Sequence, residues 1–385
     1  MPYITTPLSP IHYQISIDDI LDLKPIKYRH PVSNAGNTKT TYVKNVDSKY
    51  YDTMEIRQFI NDLEAFIINN ESLYSVDRQS LYKTFYIPKR SGGLRRIDAP
   101  EPQLMDALRD IKRIFEGVMP ATYHTSAFAY IPNRSTVDAI KRHQKNESKW
   151  FVKMDFSDFF GSTTEEFVFK MISQIFPFSL VCEIPSGAEC LRKVLSLCFL
   201  NNGLPQGTPI SPLITNIMMI PIDHQLCNKF RSFPATADGV NISFVYTRYA
   251  DDILISSKYH FDYTKIQEYI KYTLENFEAP FSLNPKKTRY GSANGSNWNL
   301  GLMLNKDNNI TVGYKKKRIF KAMCVSYITS DLNKTPWNIE EVQHFAGNLS
   351  YYRMIEREYF DHVIDSLNRK FGVDIDAMIK RDLKS

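Results

Sequence analysis

Apolar positions first recur at helical spacing between Met54 and Tyr82, where Ile56, Phe59, Ile60, Leu63, Phe66 and Ile67 share one face. The pattern then turns extended through LYKTFYIP and stops at Pro88, and Ser91-Gly92-Gly93 marks a hairpin between two strand-like runs. Trp150 to Asp155 reads as a strand that ends on a carboxylate. Phe244 to Ser257, FVYTRYADDILISS, reads as two short strands joined by a tight turn at Ala250 to Asp252. Between them Leu213 to Phe230 has the apolar spacing of a helix that begins after the Pro- and Gly-rich LPQGTPISP. From Trp337 to Phe371 the residues Ile339, Val342, Phe345, Leu349, Tyr352, Ile355, Tyr359, Val363 and Leu367 predict a small helical lobe. The order strand, helix, hairpin predicts an α+β core. Residues 1–50 lack clear periodicity and read as an N-terminal extension.

Composition narrows the classes. A chain of 385 residues, 43% apolar, can bury a large core divided into lobes. Lys+Arg 48 against Asp+Glu 42 gives a net charge of +6, so a polyanion-binding surface has to be a local patch. No run approaches the roughly 18 apolar residues of a membrane span. MPYITTPLSP lacks the basic-then-apolar order of a secretory signal, and a cytoplasmic location is expected. Cys182, Cys190 and Cys198 match no zinc spacing, so the five cysteines read as reduced thiols.

Asp251 and Asp252, paired on a turn, carry like charges that are costly together unless a cation neutralises them. Asp155, at the end of another strand, can supply a third carboxylate. Such a set suits a pair of divalent ions about 3.5–4 Å apart, which activate an attacking oxygen and stabilise a leaving one. Alone, an Asp-Asp pair is more often an ordinary turn. Between Lys83 and Arg96 there are five basic residues and no acid, which suits a phosphate cradle or a solvated basic hairpin.

The flanks separate these readings. Tyr249-Ala250-Asp251-Asp252, framed by Tyr246-Thr247-Arg248 and Ile253-Leu254-Ile255-Ser256, resembles the YADD box of reverse transcriptases, specifically prokaryotic enzymes of the retron and phage-defence group. Other blocks follow in that family's order over residues 80 to 372. The resemblance implies a right-hand polymerase fold: fingers and palm over 51–305, the palm an antiparallel sheet plus helices, and a small helical thumb and tail over 306–385. It implies RNA-directed DNA polymerisation with two Mg2+ ions, Mn2+ being the alternative.

By the same resemblance, Asp155, Asp251 and Asp252 are catalytic, and the backbone carbonyl of Phe156 completes the metal shell. Lys89 and Arg95 of IPKRSGGLRRIDAP hold the incoming triphosphate, and Phe160 is the aromatic gate that selects deoxynucleotides. Gln206 and Gly207 of LPQGTPISP meet nucleotide and template, and Lys287 of LNPKKT serves the leaving pyrophosphate. Lys315, Lys316, Lys317 and Arg318 follow a primer-grip-like segment and are expected on nucleic acid. Asp158 is read as structural. Each has a plainer alternative, such as a core Phe for Phe160, a surface lysine for Lys287 and a solvated helix face for the thumb cations.

Two elements of the retron pattern are degraded. Asp138 stands for the Asn of N-A-x-x-H, with His143 one residue late, and Asn299-Leu300-Gly301 replaces V-T-G. The expectation therefore leans to a non-retron defence enzyme that copies a dedicated non-coding RNA into DNA from dNTPs. Its partners are the RNA template and the DNA product or primer, with an operon-encoded protein or a second copy of the chain also admitted. Retron-type synthesis of RNA-linked DNA, template-independent synthesis and a non-catalytic RNA-binding subunit are the alternatives.

Overall fold

A computed structural model describes residues 53–88, 92–118, 123–236, 239–293, 298 and 301–384, together with the backbone of two short strands, β1 (Pro25–Tyr28) and β2 (Lys39–Tyr42), which pair antiparallel. The remainder of the N-terminal extension, Lys89 of the hairpin, and Asn299 and Leu300 lie outside the described residues. The chain forms two compact units that alternate along the sequence. The first takes residues from 1–134, 154–253 and 262–288, and the second from 135–153, 254–261 and 289–385.

In the first unit the expected helical stripe forms α1 (Thr53–Asn69), and Ile56, Phe59, Ile60, Leu63 and Phe66 are all buried. Phe59 meets Phe115 and Phe178 at ring-centroid distances of 6.2 and 5.8 Å, the range in which aromatic pairs add to simple burial. The hairpin follows as β3 (Tyr82–Pro88) and β4 (Leu94–Pro100), antiparallel with Ile87 opposite Arg95 and Phe85 opposite Ile97. The expected helix from Leu213 to Phe230 is two: α2 (Ser211–Met218) and α3 (Ile220–Phe230). Pro221 sits at the start of α3, where its missing N–H costs nothing, and so permits a fresh helix start at Met219.

Trp150 to Asp155 is β5, and Val245–Tyr249 and Asp252–Ser257 are β6 and β7, neighbours joined by two residues and hence a hairpin. With β8 (Arg289–Ser292) they make a four-stranded sheet in the order β6-β7-β5-β8. The α+β expectation holds.

Among the described residues one ion pair of the first unit is fully buried. Arg248 of β6 and Asp223 of α3 have side chains 1% and 0% exposed. Arg248 Nε donates to both carboxylate oxygens at 2.9 and 3.1 Å, Nη2 to Oδ2 at 2.7 Å, and the Tyr246 hydroxyl to Oδ1 at 2.6 Å. Nη1 then donates to the carbonyl of Ala250 at 3.1 Å, in the turn between β6 and β7.

In the second unit the C-terminal stripe forms one long helix, α5 (Ile339–Phe371), preceded by α4 (Tyr314–Leu332). Phe320 of α4 packs on Phe345 and Phe360 of α5 at 5.7 and 5.1 Å. The continuous stripe does not announce that α5 is kinked at Glu356 (φ −137°, ψ 62°). The Glu356 carboxylate accepts from Thr311 Oγ1 and Val312 N at 2.8 and 2.9 Å and pairs with Lys317, so the bend is where a helix residue is held by the preceding strand and helix.

The fully buried His143 shares a short hydrogen bond (2.6 Å) with Ser256, which donates to Ser148 at 2.7 Å. None of the five cysteines is in a disulfide, and among the described residues no helix is long and apolar enough to cross a membrane.

Two predictions follow from these buried groups. Replacing Asp223 by Ala leaves a guanidinium buried without its counter-charge and should cost about 3–5 kcal/mol in chemical denaturation; a loss below about 1 kcal/mol would show that Arg248 finds other compensation. Burial, aided by neighbouring arginines, lowers the pKa of His143 from 6.5 to about 3 and that of His224 to about 4. The unfolded chain therefore binds more protons below pH 6.5, so stability is fully present above that pH and is lost as the pH falls toward 4. The slope is up to about 1.4 kcal/mol per pH unit per histidine. His143→Gln, which keeps a partner for Ser256, should flatten the pH 4–6.5 limb of a denaturation series.

Candidate active site

The carboxylates are brought together by backbone pairing at strand ends. Phe156 N donates to Asp251 O at 3.0 Å, which fixes the end of β5 beside the β6–β7 turn. On the other flank, residues 282–284 run antiparallel to 155–157: Asn284 N donates to Asp155 O at 2.7 Å and Ser157 N to Ser282 O at 2.8 Å. A single 3-10 turn, Pro285–Lys287, then returns Lys287 to the carboxylate, where Nζ lies 2.7 Å from Asp155 Oδ1. The turn at Ala250 (φ 56°) is left-handed and buried, and Arg248 holds its carbonyl.

The electrostatics show the crowding. Burial raises the Asp251 pKa, Asp155 and Asp252 raise it further, and the net position is about 6 despite the opposing Lys287. The Lys287 pKa is raised, first by its hydrogen bond to Asp155 and then by the charges of Asp155, Asp251 and Asp252. An ammonium thus stands where three carboxylates from two strand ends need a cation, which is the donor chemistry of a divalent-ion site. Among the described residues no three Asp, Glu, His or Cys side chains sit at metal-ligating spacing, and Asp155 is hydrogen-bonded to Lys287.

Around this centre, Phe156 and Phe159 pack with Phe281 at 4.9 Å each, and Phe160 meets Phe159 edge-on at 5.7 Å. The half-buried Phe160 is positioned through its backbone, whose carbonyl accepts from Leu204 N at 2.9 Å. There the two chain segments cross at glycines: a Cβ on Gly203 would fall 2.2 Å from Gly161 O. Gln206 O accepts from Asp98 N at 3.0 Å, and Gly207 (φ +122°) lies so close to β4 that a Cβ would be 3.1 Å from Ile97 Cγ2. The LPQG block therefore touches the Phe160 turn on one side and the β3–β4 hairpin on the other.

Arg95 is exposed on the same face of β4 as Ile97, whereas Arg96 points the other way and is tied to Asp98 at 2.9 Å. Asp158, also exposed, caps a four-residue helix in a left-handed conformation.

The four thumb cations divide. Lys317 pairs with Glu356 and lies 4.0 Å from the centre of the Tyr359 ring, and Lys316 donates to Gly301 O at 3.0 Å. Lys315 and Arg318 are exposed, and Lys321, three residues beyond, is exposed as well. Sequence spacing alone does not separate them, but the i, i+3 relation does once the buried face of α4 is known. Tyr130 is another residue that the motifs do not mark: it is 56% exposed, and the charges of Asp251 and Arg95 both act on its hydroxyl.

The description of reverse transcriptase (RNA-dependent DNA polymerase) matches residues 87–320, more than half of the chain. The chain belongs to that family. This reverse transcriptase is 28% identical over 298 residues to the retron Ec73 reverse transcriptase of Escherichia coli, covering 76% of this chain and 88% of that one. It is 26% identical to the Escherichia coli retron Ec83 reverse transcriptase, covering 78% and 90%. Among solved structures, telomerase from Candida albicans aligns with a TM-score of 0.42 at 14% identity, covering 75% of this chain and 56% of that one. The family match carries a polymerase fold and RNA-directed DNA polymerisation as the activity, and the similarity extends to prokaryotic retron enzymes. The two degraded retron elements do not prevent retron enzymes from matching it over most of their length.

The glycine crossing supplies a test. Gly203→Ala should displace the Phe160 turn, because the clash is with backbone at 2.2 Å and not with a side chain that can swing away. The expected result is a thermal midpoint lowered by several degrees, corresponding to roughly 1–3 kcal/mol, together with increased ribonucleotide incorporation. An unchanged midpoint and unchanged sugar selectivity would separate the crossing from the gate role that the family resemblance implies for Phe160.

Proposed function

We propose that this reverse transcriptase extends a primer by two-metal nucleotidyl transfer, with Asp155, Asp251, Asp252 and the Phe156 carbonyl holding two Mg2+ ions. The observation that carries this reading is the raised pKa of Asp251 among Asp155 and Asp252, with Lys287 as the resident counter-charge. When bound, the ions activate the attacking hydroxyl and stabilise the leaving pyrophosphate. In this reading Lys287 releases Asp155 as the site fills and turns its charge to the pyrophosphate. Arg95, and Lys89 on the same hairpin, hold the triphosphate, where a guanidinium can engage two phosphate oxygens at once.

Phe160 lies beneath the sugar and excludes a 2′-hydroxyl. Gln206 and Gly207 set nucleotide against template, the glycine permitting close approach of backbone. Fingers and palm are assigned to 51–305, and thumb and tail to 306–385. In the thumb the exposed Lys315 and Arg318 face the nucleic-acid backbone, whereas Lys316 and Lys317 shape the lobe that presents them.

The template is a dedicated non-coding RNA and the setting is antiphage defence in a prokaryotic cytoplasm, a reading supported by resemblance and not by chemistry. The named relatives make retron-type synthesis of RNA-linked DNA the second reading. Sequencing the RNA that copurifies from the native operon, and the DNA made with and without it, separates these from template-independent synthesis.

Asp251→Asn keeps size and removes charge. It should abolish Mg2+-dependent deoxynucleotide incorporation on a primed RNA template, a drop of at least about 1,000-fold, while the thermal midpoint stays or rises as charge crowding is relieved. Retained activity would reject the metal assignment.

A further inference from the structure

Tyr130 is held beside the catalytic turn by strand register. Ala127 bridges Arg248 in the parallel sense, with Phe128 N donating to Arg248 O at 2.9 Å and Arg248 N to Ser126 O at 2.6 Å. Tyr130 lies in a turn three residues beyond Ala127, Asp251 in the turn three residues beyond Arg248, and the Asp251 charge acts on the Tyr130 hydroxyl. The segment is pinned on both sides of this point. Arg134 Nη1 donates to the carbonyls of His124 and Ala127 at 2.7 and 2.8 Å, and Asn216 Nδ2 to the carbonyl of Ala129 at 2.9 Å.

Tyr130 itself has φ 59°, a conformation that bulky side chains avoid, yet 56% of its surface is exposed. A strained backbone here presents an aromatic ring to solvent instead of burying it. Desolvation raises the pKa of its hydroxyl, Asp251 and Tyr249 raise it further, and Arg95 opposes them, so the ring stands within the fields of both the palm carboxylate and the hairpin guanidinium.

The sheet indicates what the ring meets. In the order β6-β7-β5, Asp155, Lys287 and Phe160 belong to the β5 side, whereas segment 126–130 lies along the free side of β6. A nucleotide held by Phe160 and Lys287 lies toward β5, so Tyr130, on the free side of β6 between Asp251 and the triphosphate-holding Arg95, is left beside the base pair at the primer end. We propose that Tyr130 is a positioning residue that seats the terminal base pair of the primer–template duplex beside Asp251. A ring contact of this kind tolerates any base, because every base has a π-face.

This inference rests on the primer-extension reading above, and one kinetic series tests the two separately. Steady-state extension of a DNA primer on a defined RNA template is measured for the wild type, Tyr130→Phe and Tyr130→Asn. Asn tolerates the left-handed backbone, so loss of the ring is not confounded with misfolding. Tyr130→Asn should raise the KM for primer–template roughly ten-fold, with the dNTP KM within about two-fold, and Tyr130→Phe should stay within about three-fold of wild type. A rise confined to the dNTP KM, or an Asn variant equal to wild type, overturns the inference and leaves the polymerase reading intact. A wild-type protein that extends no primer overturns both.

Discussion

The pair Asp223–Arg248 is the constraint on which the YADD turn depends. Taking both charges out of water costs several kcal/mol per ion, and only close, multiple hydrogen bonds repay it. Asp223 receives three bonds from Arg248 and one from Tyr246. The remaining donors of Arg248 reach Ala250 O at 3.1 Å and Asn216 Oδ1 at 3.4 Å. Asn216 in turn holds Ala129, one residue before Tyr130. A single buried guanidinium therefore sets the YADD turn relative to α2, to α3 and to the segment that carries Tyr130. Asp223 could not be replaced by an apolar residue without leaving that guanidinium uncompensated, so the network is retained or lost as a whole.

That rigidity is needed because the site itself is repulsive. Burial first, and then the nearby Asp155 and Asp252 carboxylates, raise the pKa of Asp251 to about 6, and Lys287 offsets the repulsion from an exposed loop position. The compensation is reversible by construction. An exposed lysine on a 3-10 turn can leave Asp155, whereas the buried Arg248 cannot leave Asp223. In the proposed mechanism the enzyme would thus use a movable cation where charge is exchanged with substrate and an immovable one where geometry has to persist.

Much of this was legible in the sequence because period and punctuation agree locally. Trp150 to Asp155 reads as a short strand ending on a carboxylate and is one, and the YADD turn lies between two runs that pair. The Ser-Gly-Gly signal joins two strands that pair antiparallel, although Lys89 lies outside the described residues. The illegible parts are those fixed by contacts distant in sequence. Nothing near Glu356 marks a kink, since its cause is Thr311, Val312 and Lys317. Pro221 could have signalled the break before α3, but the apolar spacing runs through it. Gly161 and Gly203 are 42 positions apart and unremarkable until their backbones cross. The role of Tyr130 depends on a bridge between Ala127 and Arg248, which no local pattern encodes.

The thumb shows why charge counting misleads where helix phase does not. Lys315 to Arg318 are four adjacent cations, and by sequence they are equivalent. On a helix they cannot be, because residues one and two apart do not share a face. Phe320 sets the buried side of α4, and Lys316 and Lys317 are drawn toward Gly301 and Glu356, leaving Lys315, Arg318 and Lys321 outward. The inward pair shapes the lobe through a carbonyl and a kinked helix, and the outward set alone remains for a polyanion. With a net charge of only +6 spread over the chain, the attraction for nucleic acid has to come from such phased stripes, and their direction is decided by packing before electrostatics can act.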